Sequence, residues 1–341
     1  MKLWQKVVGA IFGAVGTLFL VVCYLLIFQP QFFMGYDPGE YKADGLDGKV
    51  SDLFFIDKDT GIALSSLNHP DYPSSVKIFH TTDAGHRWKT ILELPGYSHA
   101  LNAIKIDKCV FCAIKNDSIY SLLSVDISSG KYKLSNDTIR KLPILFESEG
   151  NLGYTANGVF YITDGSFSKT DSIGSYNKIP SNKGIAVIDS HIYGFIFDKS
   201  NCVSRLYDFT DDTAVGHLVT PGDASLIKAT EKSCLILAAN EQQHFMMYDF
   251  DGIKKTLVQK AAYQGRIIHP LRIDNGVIYT LVAEAPNTDY YLLIGNTTWE
   301  SKTTIPLCES NIRAYCLIDN VFYYYDFLHI IVSIELNSKV L

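Results

Sequence analysis

A repeat of about 42 residues, short runs rich in Val, Ile, Tyr and Phe, and one long uncharged stretch near the start predict the fold class of this 341-residue chain. It is all-β, a seven-bladed β-propeller following a single N-terminal transmembrane helix. Composition agrees. With 21 Tyr, 19 Phe and 19% charged residues, the chain carries too much aromatic surface to stay unfolded. A formal net charge of −6 argues against a nucleic-acid binder, which needs a basic surface to meet phosphates.

The first element is the run from Val7 to Phe28, 22 residues without a charge. At ~1.5 Å per residue it spans ~33 Å, enough for a bilayer core. Lys2 and Lys6 precede it and the next charge is Asp37, so residues 1–6 are expected in the cytoplasm and the bulk of the chain outside. A cleaved signal peptide is the competing reading, but the run exceeds the usual apolar core and no small-x-small site follows it. The expectation is an uncleaved signal anchor in the inner or plasma membrane. Gly9 and Gly13 form a GxxxG that would let two such helices approach closely.

Residues 29–48 read as a linker and 49–341 as the propeller. One recurring unit is a strand, an acidic or Asn turn, then a more apolar strand. Its turn markers are Asp57, Asp107, Glu149, Asp189, Glu231, Asp274 and Asp319, spaced 50, 42, 40, 42, 43 and 45 residues apart. A second series follows each hairpin, with markers Asp83, Asp126, Asp164, Asp208, Asp249, Gly295 and Glu335 at spacings of 43, 38, 44, 41, 46 and 40. Two series with one period indicate a four-stranded blade repeated seven times. Each blade buries its apolar faces only against its neighbours. The last unit ends soon after its third strand, so the missing fourth is expected from residues 34–48, closing the ring and removing open edges. A pair of β-sandwiches or a solenoid is the alternative.

Thr81-Thr82-Asp83-Ala84-Gly85-His86-Arg87-Trp88 fits S/T-x-D-x-G-x-x-W and falls between the third and fourth strands of blade one. There Asp83 can accept backbone N–H bonds, Gly85 can take positive φ, and Trp88 can cover the hairpin. Residues 61–91 thereby resemble the Asp-box (BNR) propellers, which include sialidases and the photosystem II stability/assembly factor family. The resemblance implies structural roles for Thr81, Asp83, Gly85 and Trp88, and leaves function open because such boxes occur in enzymes and binding proteins alike. Sialidases use three arginines to clamp a carboxylate. This chain has six in all, Arg87, Arg140, Arg205, Arg266, Arg272 and Arg313, and none precedes Arg87.

Other chemistry is sparse. Nine histidines show no HxH or HExxH pairing, so no metal is expected; no nucleophile elbow or phosphate-cradling Gly loop appears, and no cofactor is expected. Cys109 and Cys112 would point to opposite faces of a strand, and Cys308 with Cys316 is the best local candidate for a disulfide.

The expectation is therefore a non-enzymatic protein that binds a protein partner, as an assembly or scaffold factor or as a toxin-immunity protein of a bacterial envelope. A carbohydrate-binding or sialidase-like propeller is the alternative, with a glycan or small molecule as ligand. Contact residues are expected on loops joining second to third strands and fourth strands to the next blade. These supply His69, Asp71, Tyr72, Tyr97, His99, Asp223, His269 and Glu284. Asn68 to Pro73 reads as the one long insertion and accounts for the 50-residue spacing.

Overall fold

The computed structural model describes residues 38–69, 72–181, 184–201, 203–221, 224–239, 244–263, 266–267, 271–283, 290–299, 302–307, 312–326 and 330–336. The regular elements among them are all β-strands, arranged in seven antiparallel sheets. The 7–28 run lies outside the described residues, and none of those described forms a helix long and apolar enough to cross a membrane.

Each sheet is one blade, with strands hydrogen-bonded in chain order from the axis outward. Blade one is Lys49–Phe55, Gly61–His69, Tyr72–Thr81 and Lys89–Pro95. The innermost strands of blades two to five are His99–Ile106, Leu145–Ser148, Ile185–Ile188 and Ala224–Lys228. Blade six has its inner strand in two pieces, Arg266–Ile267 and Arg272–Asp274, both paired with Val277–Ala283. Blade seven is Ala314–Ile318, Val321–Tyr325 and Ile330–Glu335, and its outer strand is Pro38–Lys42 from the other end of the chain. Pro38 pairs with Ile334 and Lys42 with Ile330, so the edge of the last hairpin is covered by hydrogen bonds rather than left open.

Strand alternation explains how one strand serves two blade interfaces. Leu53 and Phe55 pack toward blade seven with Tyr323 and Ile331, while Phe54 between them packs toward blade two with Val110. Cys234 and Ile236 likewise face blade four, and Leu235 and Leu237 face blade six. Each buried aliphatic side chain contributes roughly 1.5–3 kcal/mol, so a blade is stable only between two neighbours. Two-residue turns close many hairpins. Asp189-Ser190 and Asn275-Gly276 carry positive φ at both central positions, the geometry whose twist matches the flanking strands.

Three expectations are corrected in detail. The 68–73 segment is not a long loop: the second and third strands of blade one continue until His69 pairs with Tyr72, and the extra length becomes ladder. Asp274 is not a turn residue; it ends an inner strand, and Asn275-Gly276 makes the turn. Asp249 and Gly295 lie within strands, and the turn caps are Asp251 and Asn296.

Candidate functional site

The inner strands of all seven blades surround a central cavity of about 560 Å³. An inner strand has a partner strand on one side only, so its carbonyls on the axial side need other donors. Two long cations supply them. Arg272 of blade six lies across blade seven, its Nη1 donating to the Tyr315 carbonyl at 2.7 Å and its Nη2 to Asp52 Oδ1 of blade one at 2.6 Å. The guanidinium also sits over the Tyr315 ring, 4.5 Å from its centroid. Lys105 of blade two donates to the Phe55 carbonyl of blade one at 2.8 Å and to Asp274 Oδ2 of blade six at 2.7 Å.

Both ion pairs thus tie blades that are not neighbours, on the side of the ring where its two ends meet. Their side chains are 9–20% exposed, which makes mutual compensation necessary. Burial pushes the Asp52 carboxyl above the ordinary carboxylate range, by more than Arg272 pulls it down. Burial does the same to Asp274 against the pull of Lys105. At these two pairs the wall holds directional donors and acceptors side by side with their charges cancelled. Cys316 also lines this cavity, buried and free, its thiol pushed up to about 11 by burial; this corrects the expected pairing with Cys308, which lies outside the described residues. Cys112 and Cys234 are fully buried, and burial raises their thiols far out of the reactive range.

The loops between second and third strands, and those leading to the next blade, form one face of the ring. Tyr97 and His99 are on it. Tyr97 is half-buried against the core between blades one and two. His99 is half-buried, with Nδ1 2.9 Å from Ser98 Oγ. His69 and Tyr72 are placed by backbone pairing alone, and Asp71, Asp223, His269 and Glu284 lie outside the described residues. His269 falls in sequence between the two pieces of the blade-six inner strand rather than between blades. The same face presents two apolar side chains, one on an inter-blade loop and one at a strand end. Ile179 is 67% exposed and Phe197 37%. The Ser181 amide donates to the Phe195 carbonyl at 2.6 Å, which holds the Ile179 loop against the strand bearing Phe197. Phe197 has the same strand parity as fully buried Phe195, so alternation alone reads it as core.

The opposite face carries the first-to-second and third-to-fourth turns. In blade one, Asp83 accepts from the Arg87 amide at 2.9 Å and from the Thr81 hydroxyl at 2.9 Å. Although partial burial opposes it, these bonds hold the Asp83 carboxyl below its ordinary range. Thr81 Oγ1 accepts from the Gly85 amide at 3.1 Å, and Gly85 has φ of 86°. Trp88 is buried edge-on to Phe55 at the seam with blade seven. Asp164 caps the blade-three turn; the Ser168 hydroxyl and then further Ser168 and Ser166 donors bring its pKa down to about 2. Asp126, Asp208 and Asp251 accept turn amides in blades two, four and five.

His191, Asp208 and Asp211 bring three metal-capable atoms within 4.8 Å of one another. Lys255 from blade five already donates to Asp208 Oδ2 at 3.0 Å and Asp211 Oδ2 at 2.7 Å. Its ammonium supplies the positive charge those carboxylates need, so the cluster bolts blade five onto blade four.

No protein-family model matches the chain, and no curated protein matches it significantly. Among solved structures it is similar to a chain of the mitotic checkpoint complex, with a TM-score of 0.55 and 8% identity over 88% of this chain and 91% of that one. It is also similar to an oligogalacturonate lyase in complex with manganese, with a TM-score of 0.54 and 10% identity over 89% and 97%. YCF48 bound to D1 peptide gives a TM-score of 0.51 and 10% identity over 89% and 98%. These likenesses establish the fold, a β-propeller.

Proposed function

We propose that this protein is a non-enzymatic, membrane-anchored β-propeller that binds a protein partner outside the cytoplasm, as an assembly factor or as a toxin-immunity protein. The observation that carries this reading is the loop face, where Phe197 stands exposed at the end of the His191–Asp198 strand and Ile179 stands exposed on a loop hydrogen-bonded to that same strand. Exposed apolar side chains held in place by a scaffold cost little entropy to bury and serve as interface anchors. Enzyme chemistry finds less support, since Asp52 and Asp274 are engaged as counter-ions and the buried thiols are unreactive. That YCF48 is seen bound to a D1 peptide accords with the reading, because a ring of this architecture offers a broad face to a polypeptide.

The experiment is capture from membranes by the full chain and by I179D/F197D, with circular dichroism to verify the fold. A specific partner retained by the wild type and lost by the folded double variant supports the proposal. Equal capture by both would move the interface elsewhere on the ring.

A further inference from the structure

Beyond partner binding, we infer that the central cavity is a second site, one that takes a neutral saccharide through the wall formed by Asp52, Arg272, Lys105 and Asp274. The cavity, at about 560 Å³, is the size of a small-molecule site and too narrow for a folded element of a partner. Its lining carries four carboxylates, Asp52, Glu147, Glu231 and Asp274, against four cations, Lys105, Lys228, Arg272 and Arg313, so its formal charges balance. Asp52 is satisfied by Arg272 at 2.6 Å and Asp274 by Lys105 at 2.7 Å. At these two pairs an anionic ligand would have to displace a carboxylate from its cation, and a cationic one would have to displace the cation. Either exchange strands a buried charge, which is costly.

A neutral ligand leaves both pairs intact and bonds to what remains of them. Each pair sets an acceptor oxygen beside a donor nitrogen, so the matching group must donate and accept at once. Neighbouring hydroxyls on a sugar ring do this, one donating to the carboxylate while the next accepts from the cation. Ser51 and Ser225 add hydroxyls to the lining, and Ile273, 37% exposed into the cavity, offers an apolar surface for the C–H face of a sugar. Arg272 is held by Tyr315 and Asp52 before any ligand arrives, so little ordering remains to be done on binding.

The test is isothermal titration of the full chain in a non-glycosidic detergent with neutral disaccharides, the corresponding uronic acids and amino sugars, and a zwitterionic dipeptide. Neutral disaccharides are expected to bind, and the charged sugars and dipeptide to bind roughly tenfold more weakly or not at all. I273W narrows the cavity at its apolar wall and removes none of the four charged side chains of the two pairs. It is expected to abolish sugar binding while its circular dichroism and melting transition stay those of a folded ring, and I273V is expected to retain binding. Tighter binding of an acid, amine or dipeptide, binding unaffected by I273W in a folded ring, or no heat with any neutral sugar would overturn the inference. Partner capture by the loop face is measured separately, so failure of either proposal is seen on its own.

Discussion

Arg272 does three things with one side chain: it caps an axial carbonyl, stacks on Tyr315 and neutralises Asp52. Its replacement by Met removes the counter-ion while leaving the carboxylate in place. R272M is expected to lower stability at pH 7 by about 3 kcal/mol, as breaking one side of a buried pair does. The sign of the pH dependence follows from Asp52, whose folded-state carboxyl is already raised by burial. Losing Arg272 raises it further, and the protonated acid needs no partner. The penalty should therefore shrink as pH falls through the raised folded value toward the unfolded value of ~3.9, where further acid no longer distinguishes the two states. Urea melts of wild type and R272M across that range check it. Asp83 behaves in the opposite sense, because turn bonds hold its carboxyl low. Its contribution is present above ~3.9 and lost as pH falls through the folded value. D83A is expected to cost about 1 kcal/mol at neutral pH and to melt with the wild type in strong acid.

At the scale of strands and turns, much was readable because the signals are local. Apolar alternation and acidic turns at a fixed period mark the hairpins, and in the Thr81–Trp88 turn Asp83 accepts the Arg87 amide, Gly85 takes positive φ, and Trp88 packs on Phe55 at the seam with blade seven. Errors arose where two local signals compete. Asp249 and Asp251 both follow apolar residues, and only strand length decides that Asp251 caps the turn. The extra residues of blade one read as a loop because His, Pro and Asp are turn formers, yet pairing continues to His69 and Tyr72. The strand Pro38–Lys42 carries an energetic role out of proportion to its length, since it shields the edge of Ile330–Glu335. Deleting residues 38–42 is expected to lower the melting temperature and to produce concentration-dependent aggregation, read by light scattering, because an apolar edge is then exposed. Gly184 makes a separate point about close packing. Its φ is +118° and a Cβ there would overlap the Leu226 carbonyl of the next blade. G184A is expected to cost about 2 kcal/mol or more in chemical denaturation, from backbone strain and the displaced inner strand.

The molecule as a whole was only partly legible. Seven blades follow from the period, but the axial ion pairs join residues 220 and 169 positions apart and leave no spacing to read. Asp274 was visible only as a turn residue, and Arg272 only as one of six arginines, none of them placed where a sialidase clamp begins. Phe197 was hidden by its parity. These features exist only once the ring is closed, so they depend on topology rather than on neighbouring residues. The proposed orientation rests on Lys2 and Lys6 before the 7–28 run. An introduced exposed cysteine at Asn136 is expected to be labelled in intact cells by an impermeant maleimide, and labelling only after lysis would reverse the topology.

The central claim is that a membrane-tethered ring receives a partner on the face bearing Ile179 and Phe197. Photo-crosslinking in native membranes, with the reactive residue placed at Phe197 or at exposed Val258 on the outer strand of blade five, tests it most directly. The account predicts one discrete protein adduct from position 197 and none from position 258. An adduct from position 258 with none from position 197, or no adduct from either, would contradict it.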